Sequence, residues 1–249
     1  EQIKQLAPTV FASTSSPEVS KHYTHIPTST IMEDMEKLGW NVVDAQEVRS
    51  RSKSKGFQKH LLVFRNNDIV IDGEDGDTVF PQILLTNSHD GKNSFSFQAG
   101  LFRLVCSNGL VVSTQDFENV KIRHMGYTFE ELQKNIHEMV ERLPLTVESM
   151  NKMKNTVLSP KQKVDFAQDA LKSRFSEKEL NRIEINLEQL LTPTRKEDQG
   201  DNLWNVFNVV QEKIIEGDFD YIAGTKTRKA RKIKNFQQDQ KINTKLFNT

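Results

Sequence analysis

The residues of this chain whose types and spacing could do chemistry are cations. Arg49, Arg51, Lys53, Lys55 and Lys59 follow one another with no acid between them. Lys121 and Arg123 fall two apart in an alternating stretch, so a strand would set both on one face. Lys226, Arg228, Lys229, Arg231 and Lys232 open a C-terminal stretch, 224–249, that carries eight Lys/Arg against Asp239 alone. Exposed cations of this kind bind phosphates without reading sequence, by releasing counterions. Phe57 lies in the first basic stretch and Phe236 in the last. Cations interleaved with rings suit a single strand, whose unpaired bases can stack. The formal net charge of +0 hides this asymmetry: 224–249 stands at +7 and the rest at −7. An acidic body with a basic end points to an anionic partner, or to docking onto a neighbouring copy.

Other chemistries find less support. His22 and His25 are three apart, but Thr, Tyr and Pro around them argue against a helix, and two further metal ligands are not evident. Asp68, Asp72, Glu74, Asp75 and Asp77, with Gly73 and Gly76 among them, resemble a calcium loop at first sight. The twelfth position counted from Asp72 is Ile83 rather than Glu, so the EF-hand spacing fails and a solvated acidic turn is the better reading. A metal-dependent nuclease using this loop with Glu130 or Glu131 stands as a third reading, behind nucleic-acid binding and a non-enzymatic interaction role. The one cysteine, Cys106, excludes an internal disulfide and lies in an apolar run, as an inert buried thiol would. Glycine-rich nucleotide loops, the Gly-x-Ser-x-Gly elbow and the His-Glu-x-x-His helix are all absent. No catalytic set, cofactor or metal site is therefore expected. No apolar run reaches the roughly 20 residues of a membrane span. No signal peptide is visible, although the first residue is Glu, and a cytoplasmic location in a bacterial host is expected.

The elements that must position these cations follow from period and punctuation. Residues 1–29, rich in Ser, Thr and Pro, read as an extended arm. A short helix follows, carrying Ile31, Met35 and Leu38 and ending at Gly39. Strands are expected at 40–48, 60–65, 79–87, 94–100 and 118–125, the first two joined as a hairpin through a basic tip. Phe95 and Phe97 alternate with polar residues; they would pack in a core, or stack on bases if exposed. From Thr128 the period becomes helical. Helices are expected at 128–143, ended by Pro144, then at 147–157, 160–175, 176–190 and 201–216. Strands before helices give an α+β fold, with an antiparallel β-rich half at 30–126 and a helical half at 127–223. The reading is one domain over 30–223, an arm at 1–29 and a basic tail at 224–249.

One stretch carries more than composition. Gly100 to Val112 is the most apolar run, and within it stands Arg103-Leu104-Val105-Cys106-Ser107-Asn108-Gly109-Leu110. A second stretch joins Leu190-Leu191-Thr192-Pro193 to Leu203-Trp204, Asn208 and Glu212. Both resemble motifs of the phage/plasmid-like protein family, domain of unknown function nine-three-two, over roughly residues 25–230. The resemblance implies a home on phages, prophages or conjugative plasmids. By analogy of fold with single-strand annealing proteins of the Rad-fifty-two type, it implies a helix on a curved antiparallel sheet, assembled into rings with a basic groove and needing neither ATP nor metal. Arg103 would then contact an anion in that groove, or else simply snorkel or pair with a carboxylate. The function expected is binding, and annealing, of single-stranded nucleic acid by a homo-oligomer that is not an enzyme. The alternative is a non-enzymatic interaction protein with a phage or host protein as its partner.

Overall fold

Short apolar runs build the central strands of the sheet, and helical spacing builds what covers it. The computed structural model of the chain describes residues 1–48, 55–70, 78–93, 95–103, 109–111, 120–122 and 128–249, with backbone alone for 101–103, 109–111, 120–122 and 146. The chain divides into two compact units. The first takes in the described residues up to Leu143, Arg103 excepted, and the second is built on Pro144–Thr249.

The first unit contains α1 (Gln2–Leu6), a 3-10 turn at Pro8–Phe11, α2 (Thr28–Lys37), β1 (Asn41–Glu47), β2 (His60–Arg65), β3 (Val79–Asn87), β4 (Phe95–Arg103), β5 (Gly109–Val111), β6 (Val120–Ile122) and the start of α3 (Phe129–Asn155). The strands form one sheet in the order β1-β2-β3-β4-β5, with β6 also against β4. β1–β2, β2–β3, β4–β5 and β4–β6 pair antiparallel. Leu62 and Phe64 lie opposite Leu85 and Ile83, so these four share a face, and Phe95 and Phe97 join them in the core. Ile31 and Met35 of α2 and Leu132, Ile136 and Met139 of α3 complete the same cluster. Phe95 and Phe97 are fully buried edge to face at 4.9 Å, so they pack rather than stack on bases. The arm expected at 1–29 is instead part of this unit. Ala7, Val10 and Ile26 are buried in the core, an apolar set too sparse to show a period.

The second unit continues with α4 (Pro160–Arg174), α5 (Glu177–Leu180), β7 (Ile183–Ile185), α6 (Glu188–Leu191), α7 (Leu203–Glu216), β8 (Asp220–Ala223), β9 (Lys226–Lys229) and α8 (Phe236–Phe247). α7 is buried nearly all round, including Trp204, Phe207, Val210 and Ile214, and α4, α6 and α8 pack on it. Ser159 caps α4 ahead of Pro160 and a capping box opens α5 at Ser176, as the sequence predicts, and Ser159 also closes a box with Gln162.

Three further expectations need correction. Pro144 does not end its helix: α3 runs through it, because one lost backbone bond is local and the apolar spacing resumes at Met150. The helix expected over 176–190 is two single turns around a strand. Ile183 and Ile185 are β-branched and pair with Ala223 and Tyr221. The tail at 224–249 is folded. Asn235 caps α8, and Phe236, Ile242 and Leu246 are buried. Its charge hid an apolar spacing at Ile242 and Leu246, four apart and so on one helical face.

Candidate nucleic-acid interface

The basic end of the chain is an edge strand. Phe219, Tyr221 and Ala223 alternate with polar or exposed residues, and Gly224-Thr225 then turns the chain, with Gly224 at φ +63°. β9 pairs antiparallel with β8, setting Tyr221 opposite Arg228 and Ala223 opposite Lys226. In the sheet order β7-β8-β9 it has, among the described residues, β8 as its partner and one open side. All four of its residues, Lys226 to Lys229, are exposed, and so are Arg231, Lys232 and Lys234.

The segment after β9 is fixed at both ends. Ala230, buried, donates its N–H to the Phe219 carbonyl at 2.9 Å, and Ile233 donates to Ile215 at 2.8 Å. Arg174 donates to the Ile214 carbonyl and, at 2.5 Å, to the Arg231 carbonyl. Its guanidinium also lies over the rings of Phe175 and Phe219, and burial pushes its pKa down. Gly217, at φ +72°, lets this segment cross the end of α7: a Cβ there would stand 2.5 Å from the carbonyl carbon of Arg231.

The cations differ in their pairing. Lys232 donates to Glu216 at 2.7 Å. Lys229 stands 3.6 Å from Asp218, which Lys213 holds at 2.6 Å and below the usual carboxylate range. Among the described residues no carboxylate pairs with Lys226, Arg228 or Arg231. Unpaired cations on an exposed strand are the ones able to meet phosphates at no cost in broken ion pairs.

The other candidate residues scatter. Arg49, Arg51, Lys53 and Arg123 lie outside the described residues, as do Cys106 and the acids from Asp72 to Asp77. Arg103 ends β4 and Lys121 sits in β6 opposite Ser96, with their side chains outside the description. Lys55 is exposed. Lys59 is half-buried just before β2, and desolvation lowers its pKa. Phe236 is buried in the second unit, so it cannot stack on a base. Among the described residues no three His, Cys, Asp or Glu are grouped to hold a metal, and no helix is long and apolar enough to cross a membrane.

Sequence reasoning missed Arg174 and Tyr221. Tyr221 was legible: its alternation with Phe219, followed by Gly224, is a hairpin signal. Arg174 was not, since its partners are backbone carbonyls 40 and 57 residues away.

Comparison with known proteins fits this chain over almost its full length. It is 28% identical over 250 residues to the UPF0380 protein YfjQ of Escherichia coli (strain K12), covering 99% of this chain and 88% of that protein. It is likewise 28% identical over 252 residues to the UPF0380 protein YafZ of the same organism, with the same coverage of both chains. No solved structure matches. The family model described as Domain of unknown function (DUF932) matches residues 17–247, and the chain belongs to that family.

Proposed function

We propose that this protein binds single-stranded nucleic acid through the β8–β9 hairpin and the segment that follows it. The observation that carries this reading is the exposed run Lys226 to Lys229 on an edge strand, continued by Arg231 and Lys232. Backbone bonds and Arg174 hold that row in place, so binding loses little chain entropy. The proposal extends to a phage or plasmid setting, a cytoplasmic location, a homo-oligomer, and annealing that needs no ATP. Annealing of this kind is not enzymatic: complementarity drives the pairing of strands held with their bases accessible.

The test is anisotropy of a labelled single-stranded oligonucleotide at low and moderate salt, with mass by light scattering on the same sample. Binding that weakens steeply with salt supports the reading, and a large oligomer supports annealing. Absence of binding at low salt overturns it.

A second reading has its own support. Among the described residues the outer row of β9 backbone groups is unpaired, and a strand of a phage or host protein could add to it. Charge removal at Lys226 and Arg228 separates the two: it weakens nucleic-acid binding but leaves backbone pairing available.

A further inference from the structure

The sheet of the second unit has two unlike faces. Paired residues of antiparallel strands point the same way. One face therefore carries Ile185, Tyr221 and Arg228 in one row, and Ile183, Ala223 and Lys226 in the next. The other face carries Asp220 with Lys229, and Glu184, Ile222 and Thr227. Two carboxylates make that second face a poor surface for phosphate. The first has none among its paired residues.

The first face runs into a groove. Ile183 and Ile185 form one side of an open groove of about 500 Å³, closed by Leu171 of α4, Leu180 of α5 and Leu187. That volume lies in the range of about 300–1,000 Å³ typical of small-molecule sites. Two side-chain amides, Gln168 and Asn181, also line it. Both residues are exposed, and among the described residues no hydrogen bond engages either amide. Lys172 and Glu177 line it as well, and Lys172 is held by Asp169 at 2.5 Å. Tyr221, with the Phe175 ring 5.9 Å away, stands between the groove and Arg228. The cations of β9 lie two strand spacings from β7, about 9–10 Å.

We propose that this groove seats an unpaired nucleobase while Lys226 and Arg228, on the same sheet face, hold the flanking phosphates. The apolar floor takes the faces of a planar ring, and the two amides offer donors and acceptors to its edge. A base stacked in a duplex cannot enter, so the site selects single strands. This inference rests on the reading given under the proposed function, and names the part of the ligand that makes the choice.

The experiment compares an oligothymidylate with an abasic oligonucleotide of the same length, both labelled, on the full chain. The wild type is expected to bind the oligothymidylate about tenfold more tightly, the usual worth of one well-held base. Gln168→Ala with Asn181→Ala, two exposed changes that leave the core alone, should reduce that preference several-fold and leave abasic binding unchanged. Lys226→Ala with Arg228→Ala should weaken both ligands together and preserve their ratio. Equal binding of the two ligands by the wild type, or an undiminished preference in the amide variant, overturns the nucleobase seat while leaving nucleic-acid binding intact. Failure of the wild type to bind either ligand overturns the functional reading and the seat with it.

Discussion

Nε2 of His60 stands 2.8 Å from Oγ1 of Thr28, inside a fully buried polar cluster of the first unit. Thr9 donates its hydroxyl to Glu47 at 2.5 Å, so its oxygen is left to accept from Nδ1 of His60 at 3.1 Å. The Gln58 carbonyl also faces Nδ1 at 3.1 Å and can only accept. The proton is therefore assigned to Nδ1. Nε2 accepts from Thr28, whose oxygen in turn accepts from Asn87 at 2.9 Å. The His89 ring, 5.3 Å away, and His25 beyond it close the cluster. The network suits a neutral imidazole and ties Thr9 and Thr28 to the sheet.

This arrangement predicts acid sensitivity of the first unit. Burial pushes the His60 pKa from 6.5 down to about 4. Between those values the unfolded chain binds the proton and the folded one does not, so stability falls as pH drops through that window. The loss is on the order of 3 kcal/mol by pH 4. Denaturant midpoints followed at Trp40 between pH 7 and pH 4 measure it. His60→Gln should lower stability at pH 7 and flatten the dependence. A slope unchanged in that variant would assign the acid sensitivity elsewhere.

The second unit should respond with the opposite sign. Burial, and then the Glu216 carboxylate, push the Asp239 pKa from 3.8 up to about 6, against the opposing pull of Lys232. The folded state holds the proton more tightly here, so this group's contribution is greatest in acid and is lost as pH rises through about 6. Asp239→Asn keeps an oxygen to accept from Asn243, which donates to Asp239 at 2.5 Å. The variant should stabilise the second unit at pH 8 by on the order of 2 kcal/mol and leave it little changed at pH 4. Thermal unfolding followed at Trp204 is the readout.

Two glycines test how tightly the basic segment is clamped. Gly217 and Gly224 both have positive φ, at +72° and +63°. A side chain in the left-handed region costs roughly 1–2 kcal/mol by itself. At Gly224 nothing lies within 4 Å of a built Cβ, so Gly224→Ala should cost only that. At Gly217 the backbone of Arg231 lies 2.5 to 2.8 Å away. Gly217→Ala must therefore displace the segment as well, and should cost clearly more. Equal falls in melting temperature would contradict the clamp.

The difference between these two positions also marks what sequence can reveal. The sheet was legible because Leu61 to Phe64 and Ile83 to Leu85 are short apolar runs bounded by turn residues, the mark of strands buried on both faces. The caps at Ser159 and Ser176 were legible because their partners lie three residues on. Ala7, Val10 and Ile26 were not, since isolated apolar residues among Ser and Thr show no period, and only the sheet they cover explains them. Lys226 and Arg228 were legible as charge but not as geometry. Their shared face with Tyr221 depends on a hairpin register, and the clamp behind them depends on Arg174, far away in sequence.

That register gives the sharpest test of the interface. Lys226 and Arg228 share a face and pair with no carboxylate among the described residues, whereas Lys229 and Lys232 face Asp218 and Glu216. A cation that must first leave a carboxylate contributes less to binding a phosphate. For single strands the logarithm of the binding constant falls with the logarithm of salt at about 0.7 per phosphate contacted. Lys226→Ala with Arg228→Ala should therefore reduce the magnitude of that slope by about 1.4, two contacts' worth. Lys229→Ala with Lys232→Ala should reduce it by less, and should instead lower stability through the acids left behind. Equal slopes in the two double variants would place the phosphates along the whole segment rather than on one face of β9.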